Sequence, residues 1–415
     1  MRYKLLYNLF YDFKITALIG LIFFQLIIGC NKKQQEETAK KITETAKQTQ
    51  IDEYQNFTPS LEDPYLSSPI CYPLKIDWEQ GYYGRITSWI SFGMVCRNNV
   101  VYVQGETWFG AYATVDGRNL WMIDTLTAKS TPAIDDSVVY INTGNSVAAL
   151  NQKDGSPIWN CPLSTPGASD VIKVNDMIVL INASGSMVGI NARTGEKAWL
   201  ANCNKAVRTN PVASKNGIVV VAGRTPYATS WGDIIGVDAN NGRIIWNKRI
   251  REAFRAPFIH EEVAYISAVA KSVIAINVNY GETVWQIKLP VRRGSLFASP
   301  VADESHVYVG TTEGEVVALN IEDGTVAWIS KGVGYVQGIT LLDSSQILIS
   351  SYNHIEESNP SCHILDCQDG HRMQRLIGIG SHRRSGLKHG GRLFLSSGGK
   401  VVSLVRTEQQ KGADL

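Results

Sequence analysis

Three features of the 415-residue sequence predict an all-β fold, a single eight-bladed β-propeller of four-stranded blades. Six segments (VDGRNLW, KDGSPIW, RTGEKAW, NNGRIIW, NYGETVW and EDGTVAW) place glycine four residues before a tryptophan, ending at Trp121, Trp159, Trp199, Trp246, Trp285 and Trp328. These tryptophans are 38, 40, 47, 39 and 43 residues apart, room for four short strands per repeat. Alternating apolar runs such as SVAALN, SMVGIN, DIIGVD, SVIAIN and EVVALN precede most copies. Asp-Gly, Thr-Gly or Asn-Gly after such a run signals a hairpin, because glycine accepts positive φ without steric cost.

Each period therefore reads as an inner strand (ASDVIKV), a second (MIVLIN), a third (SMVGIN) and an outer strand carrying the tryptophan. The indole is a large apolar plate able to fill the gap between sheets that diverge from a common axis. A seventh copy is degenerate, since CQDGHRMQ puts Gln374 where tryptophan is expected. An eighth outer strand is supplied by KIDW, whose Trp78 lies 43 residues before Trp121. The C-terminal SGLKHGGRLFLSSGGKVVSLVR offers three strands and no outer one, so both chain ends are expected to complete one blade and remove free edges. A seven-bladed ring is the alternative count.

The N-terminus has the layout of a secretion signal over residues 1–29. Arg2, Lys4 and Lys14 precede an apolar run from Ile15 to Gly29 that stops at Cys30. Ile27-Ile28-Gly29-Cys30 resembles a lipobox, which makes Cys30 the expected lipidation site. Two or three acyl chains such as palmitate, at about 0.8 kcal/mol per buried CH₂, would hold the protein on a membrane. An uncleaved transmembrane anchor is the alternative, although the run is short against the roughly 20 residues a bilayer needs. Either reading puts the domain outside the cytoplasm, with an outer membrane facing the periplasm as the expected bacterial location. Residues 30–69, rich in Lys, Glu, Gln and Thr and then Pro and Ser, read as a lipidated flexible tether, and 407–415 as a disordered tail.

Composition narrows the function. Without residues 1–29 the chain has 37 basic and 37 acidic residues, a balance that argues against a nucleic-acid binder. Six cysteines follow Cys30 (Cys71, Cys96, Cys161, Cys203, Cys362 and Cys367), and they read either as disulfide partners in an oxidising compartment or as small buried hydrophobes. Five histidines (His354, His363, His371, His382 and His389) crowd the C-terminal region in spacings that match no common metal-ligand pattern, so no metal is expected. No nucleophile elbow, metalloprotease helix or phosphate-binding loop is present, and no catalytic constellation is expected.

The sequence of apolar strand, Asp or Asn, two or three residues, glycine, three residues and tryptophan resembles the pyrroloquinoline-quinone (PQQ) enzyme repeat, over residues 70–406. Two branches of that superfamily carry different implications. Quinoprotein dehydrogenases imply an adjacent Cys-Cys pair beside the quinone, Ca²⁺-binding carboxylates and a catalytic Asp. BamB-type lipoproteins, which scaffold outer-membrane β-barrel assembly, imply a lipid anchor, eight blades and no cofactor. This sequence has no adjacent cysteine pair, and the second branch fits it better. The expected function is then a lipid-anchored, monomeric cell-envelope binding scaffold that presents a propeller face to protein partners, with a β-barrel assembly component among them. A quinoprotein-like ligand binder or PQQ-dependent dehydrogenase is the alternative.

Blade topology separates two faces. Outer-to-inner crossovers and second-to-third strand loops emerge on one, and the glycine-bearing turns on the other. The crossovers carry Lys205 and Arg208, Arg251 and Arg255, Arg292 and Arg293, and Arg383, Arg384 and Lys388. The expected site is a basic funnel for an acidic partner surface or an anionic glycan or peptide, flanked by Trp108, Phe109, Tyr227 and Trp231 as aromatic anchors. The competing readings are that the cations pair with carboxylates such as Glu252 and that the aromatics tuck under their own loops.

Overall fold

The computed structural model describes residues 74–406 except for 82–92, 106–107, 125, 127–129, 204–209, 225–231, 251–254, 292–293, 353–359, 378–385, 390 and 398–399. The described residues hold thirty-two β-strands and no helix, in eight antiparallel four-stranded sheets that form an eight-bladed propeller. Blade 1 runs from Met94 to Ile123, blade 2 from Ala133 to Pro162, blade 3 from Ile172 to Asn202 and blade 4 from Val212 to Ile250. Blade 5 runs from Phe258 to Lys288, blade 6 from Val301 to Lys331 and blade 7 from Tyr335 to Ile377. Blade 8 combines Leu387–His389, Arg392–Ser397 and Lys400–Arg406 with Leu74–Gly81 as its outer strand. That strand pairs antiparallel with Lys400–Arg406, supported by ion pairs between Arg392 and Asp77 and between Lys400 and Glu79.

The core lies between the blades, in apolar clusters that each bridge two neighbouring sheets. One joins Met187 and Ala201 of blade 3 to Val219 and Ile235 of blade 4, and another joins Tyr308 and Trp328 of blade 6 to Ile347 and Leu365 of blade 7. Second and third strands are therefore buried on both faces, as in Met177–Ile181. The alternation expected from runs such as SMVGIN gives way to burial of every central residue, because each sheet is sandwiched between two others.

The repeat's glycine and tryptophan meet across blade boundaries. Gly117, Gly155, Gly195, Gly242, Gly281, Gly324 and Gly370 hold φ between 70° and 76° in their hairpin turns. Each faces the indole of the preceding blade so closely that a Cβ would lie 2.4–2.7 Å from the ring. The seven tryptophans, Trp78 included, donate their Nε1–H to a carbonyl of the next blade at 2.7–3.0 Å. Within its own blade each sits opposite a small residue, Gly189 for Trp199 and Ala318 for Trp328 among them. The repeat spacing thus encodes an inter-blade joint.

The joint between blades 7 and 8 is built differently. Blade 8 has no third-to-outer hairpin, because its outer strand comes from the other end of the domain, and so no turn glycine is available to receive an indole. Gln374 stands there instead, buried and paired with the backbone of Leu74 in both directions: the Leu74 N–H donates to Oε1 and Nε2 donates to the Leu74 carbonyl, each at 3.4 Å. Opposite Gln374 is Ile364, where other blades carry Ala, Gly or Ser.

The five described cysteines form no disulfide; Cys71 lies outside the described residues. Burial pushes the Cys96 thiol up to about 12 and those of Cys203 and Cys367 to about 11, so these three remain protonated and weakly nucleophilic at neutral pH.

Candidate functional site on the crossover face

The strand order places the outer-to-inner crossovers beside the second-to-third strand loops. Two isolated bridges fix that contact, Gly167 with Asn182 in blade 3 and Leu296 with Thr311 in blade 6. A belt of polar groups links neighbouring blades at this level. The Thr131 N–H donates to Asp170 Oδ1 at 2.6 Å, the Asp170 N–H to Asn210 Oδ1 at 3.0 Å, and Asn210 Nδ2 returns a bond to Asp170 Oδ2 at 2.7 Å. Asn142 Nδ2 donates to the Ser169 carbonyl and Ser267 Oγ to that of Ala298. These bonds satisfy backbone groups that the short inner strands leave unpaired, and they give the face a fixed frame.

Of the predicted basic residues, Lys388 lies in the inner strand Leu387–His389 of blade 8, and Arg255, between blades 4 and 5, has its side chain described. Its backbone N–H is held by the Ser267 carbonyl at 2.9 Å, and its Nε donates to the Leu296 carbonyl at 3.2 Å. The guanidinium lies 4.5 Å from the centre of the Phe297 ring, and Phe297 meets Tyr335 of blade 7 edge-on at 5.2 Å. Burial lowers the pKa of Arg255 from its ordinary value, which leaves the side chain charged in a partly desolvated setting. Among the described residues no carboxylate stands within ion-pair distance of it. A planar cation held on one side by an aromatic ring and a carbonyl keeps its outer N–H groups for a partner's carboxylate or other anion.

Arg208, Arg251, Arg292, Arg293, Arg383, Arg384 and Trp231 lie outside the described residues, as do Lys205 and Tyr227. Trp108 is not the exposed anchor the sequence suggested. It is 6% exposed and packs among Val101, Val103, Phe394 and Val401, with Tyr112 edge-on at 6.4 Å. The reason is local: the Gly105 N–H closes on the Trp108 carbonyl at 2.9 Å, and the missing side chain of Gly105 makes room for the indole, which a Cβ would approach to 2.1 Å. Phe109 is fully buried beside it.

Of the C-terminal histidines, His354 and His382 lie outside the described residues, and His363 and His371 lie apart. His363 is buried in blade 7 in a polar chain, with Ser361 Oγ 3.2 Å from its Nε2, Ser351 Oγ 3.0 Å further on, and Arg372 near its Nδ1. Burial, then the charges of Arg372 and Arg375, depress it to about 3, which keeps the ring neutral. His371 belongs to the opposite face, in a turn where it joins Asp366 and Asp369 with ligand atoms all within 4.8 Å of one another. Both carboxylates there cap backbone N–H groups, Asp366 that of Gln368 and Asp369 that of His371. Asn191 and Asn277 cap the equivalent turns elsewhere, so the pattern follows from turn chemistry.

The chain has no adjacent cysteine pair, and the described tryptophans other than the buried Trp108 stand on outer strands, committed to inter-blade joints.

An eight-bladed ring whose sheets are joined by tryptophan on turn glycine defines a propeller of PQQ-like repeats. Residues 75–230 and 208–354 match the family model described as outer membrane protein assembly factor BamB, and the chain belongs to that family. Among solved structures it is similar to BamB from Moraxella catarrhalis, with 18% identity and a TM-score of 0.64, over 82% of this chain and 99% of that one. The quinohemoprotein alcohol dehydrogenase ADHIIG from Pseudomonas putida HK5 aligns at 11% identity and a TM-score of 0.62, over 82% of this chain and 78% of that one. The computationally designed Ika8 protein aligns at 11% identity and a TM-score of 0.65, over 78% and 98%. At these identities the likenesses describe the fold. No curated protein sequence matches the chain.

Proposed function

We propose that this protein is a lipid-anchored scaffold of the bacterial cell envelope that holds a protein partner on its crossover face during outer-membrane protein assembly, and that it is not an enzyme. The reading rests on the family match together with one observation, the aromatic-backed Arg255 with no carboxylate within ion-pair reach among the described residues. A rigid belt of inter-blade hydrogen bonds gives such a cation a defined position, which favours recognition by a carboxylate of matching geometry. In this reading residues 1–29 are a leader, Cys30 carries the lipid, 30–69 form the tether and the protein works as a monomer at the periplasmic surface of the outer membrane. In this reading the arginines of the other crossovers, Arg208, Arg251, Arg292, Arg293, Arg383 and Arg384, widen the cationic field around Arg255.

The test is capture of partners by crosslinking in native membranes, comparing the wild type with Arg255→Glu. Loss of an envelope assembly protein from the captured set, with the variant still folded and membrane-bound, is the expected result. An unchanged partner set would refute this assignment of the site.

A further inference from the structure

Between blades 2 and 3, crossover residues 163–165 pass beside the second-to-third strand loop of blade 3 and leave a groove of about 230 Å³ over the outer half of that sheet. Leu163, Val188 and Leu200 give the groove apolar walls. Val188 belongs to the core between the two blades, whereas Leu200 is 68% exposed. The polar lining includes Thr165, Asn182 and Lys197, and no carboxylate is among the residues that line it.

Asn182 carries more than its loop requires. The residue is 5% exposed, and its Oδ1 accepts from the Ser184 N–H at 3.1 Å, the Ser184 hydroxyl at 2.6 Å and the Ser186 N–H at 3.0 Å. Two of those donors are backbone N–H groups, which only the oxygen can meet, so the orientation of the amide is fixed. Thr143 and Thr311 hold the same place in blades 2 and 6, each with its own N–H on the carbonyl of the residue that opens the third strand. Their hydroxyls accept from the Ser146 and Glu315 N–H groups at 3.1 and 3.0 Å. An oxygen is therefore all that such a loop needs. Asparagine adds an Nδ2 donor, and that donor has no acceptor among the described residues. Lys197 likewise has neither a hydrogen bond nor an ion pair among them.

We infer that this groove binds a carboxylate carried on a short apolar chain. Asn182 and Lys197 bring donors without acceptors, Lys197 brings a positive charge, and the leucine and valine walls suit an aliphatic body. A cationic ligand would leave both donors unpaired and meet Lys197 with like charge. Size sets the length: the groove is smaller than the roughly 300 Å³ at which pockets for drug-sized ligands begin, so the occupant has only a few carbons. The groove shares no residue with the Arg255 site, and the inference does not depend on the scaffold reading.

The experiment follows the side-chain NH₂ signals of Asn182 in the full-length protein, labelled with ¹⁵N-asparagine and held in detergent micelles, during titration with hexanoate. Asn182→Asp, which keeps the oxygen acceptor, assigns those signals by their loss. A saturable shift is expected with hexanoate and none with hexanamide. Leu200→Glu, at an exposed position, should abolish the shift, and Lys197→Met should weaken binding about threefold, as for an exposed charge. Lys153→Glu, in the exposed outer turn of blade 2, should change nothing. No shift, an equal shift with hexanamide, or a shift that survives Leu200→Glu would each overturn the inference. Acetylglycylglycylleucine, titrated in parallel, separates two sources of the same chemistry: binding tighter than that of hexanoate assigns the groove to polypeptide ends, and weaker binding assigns it to free acids.

Discussion

Seven blade boundaries are joined by tryptophan resting on glycine, and the boundary between blades 7 and 8 is joined by glutamine pairing with backbone. The difference follows from how the ring closes. An indole needs a shelf, and the shelf is the positive-φ glycine of a third-to-outer hairpin. Where that hairpin is replaced by two chain ends, the best available partner is the exposed backbone of Leu74, which an amide side chain matches with one donor and one acceptor. Blade 7 is also the polar blade, with Thr340, Gln346, Ser350, Ser351, Ser361, His363 and Gln374 all buried. Closure trades apolar area for directional bonds.

The comparison can be broken at its strong joint. Trp285→Ala removes a buried indole from between blades 5 and 6, and its loss should cost about 3–5 kcal/mol, read as a lowered urea midpoint. The weak joint gives a sharper result, because Gln374→Trp restores the repeat pattern but not its shelf. Overpacking against Ile364 should then cost about 1–3 kcal/mol, and a stabilised variant would show that the missing glycine is not what excludes tryptophan.

The polar blade also predicts a pH dependence. His363 binds a proton at about 3 in the folded state against an ordinary 6.5, so above 6.5 it is neutral in both states and leaves stability unchanged. As pH falls from 6.5 towards 3 the unfolded chain takes up a proton that the folded chain refuses, and stability drops by about 1.4 kcal/mol per pH unit. Denaturation midpoints measured across that range should fall less steeply for His363→Gln than for the wild type.

The joints explain what the sequence made legible. Glycine four residues before tryptophan is a local pattern with one physical cause, and it was enough to give the blade count and the joining of both chain ends in blade 8. Gln374 was visible as a departure from the pattern, but its partner Leu74 lies 300 positions away and no local rule connects them. Trp108 misled for the opposite reason: GETWFG reads as a loop, and only the tight closure from Gly105 to Trp108 turns the indole inwards. Arg255 was found by its recurrence among basic crossovers, whereas its ring support from Phe297, 42 residues on, could be seen only in three dimensions.

The central claim, that the crossover face holds the partner, is tested most directly by placing a photo-crosslinking residue at one position per face, Phe297 on the crossover side and Tyr280 on the turn side, in otherwise native membranes. The account predicts that an envelope protein is captured from position 297 and nothing from 280. Capture from 280 and not from 297 would contradict it.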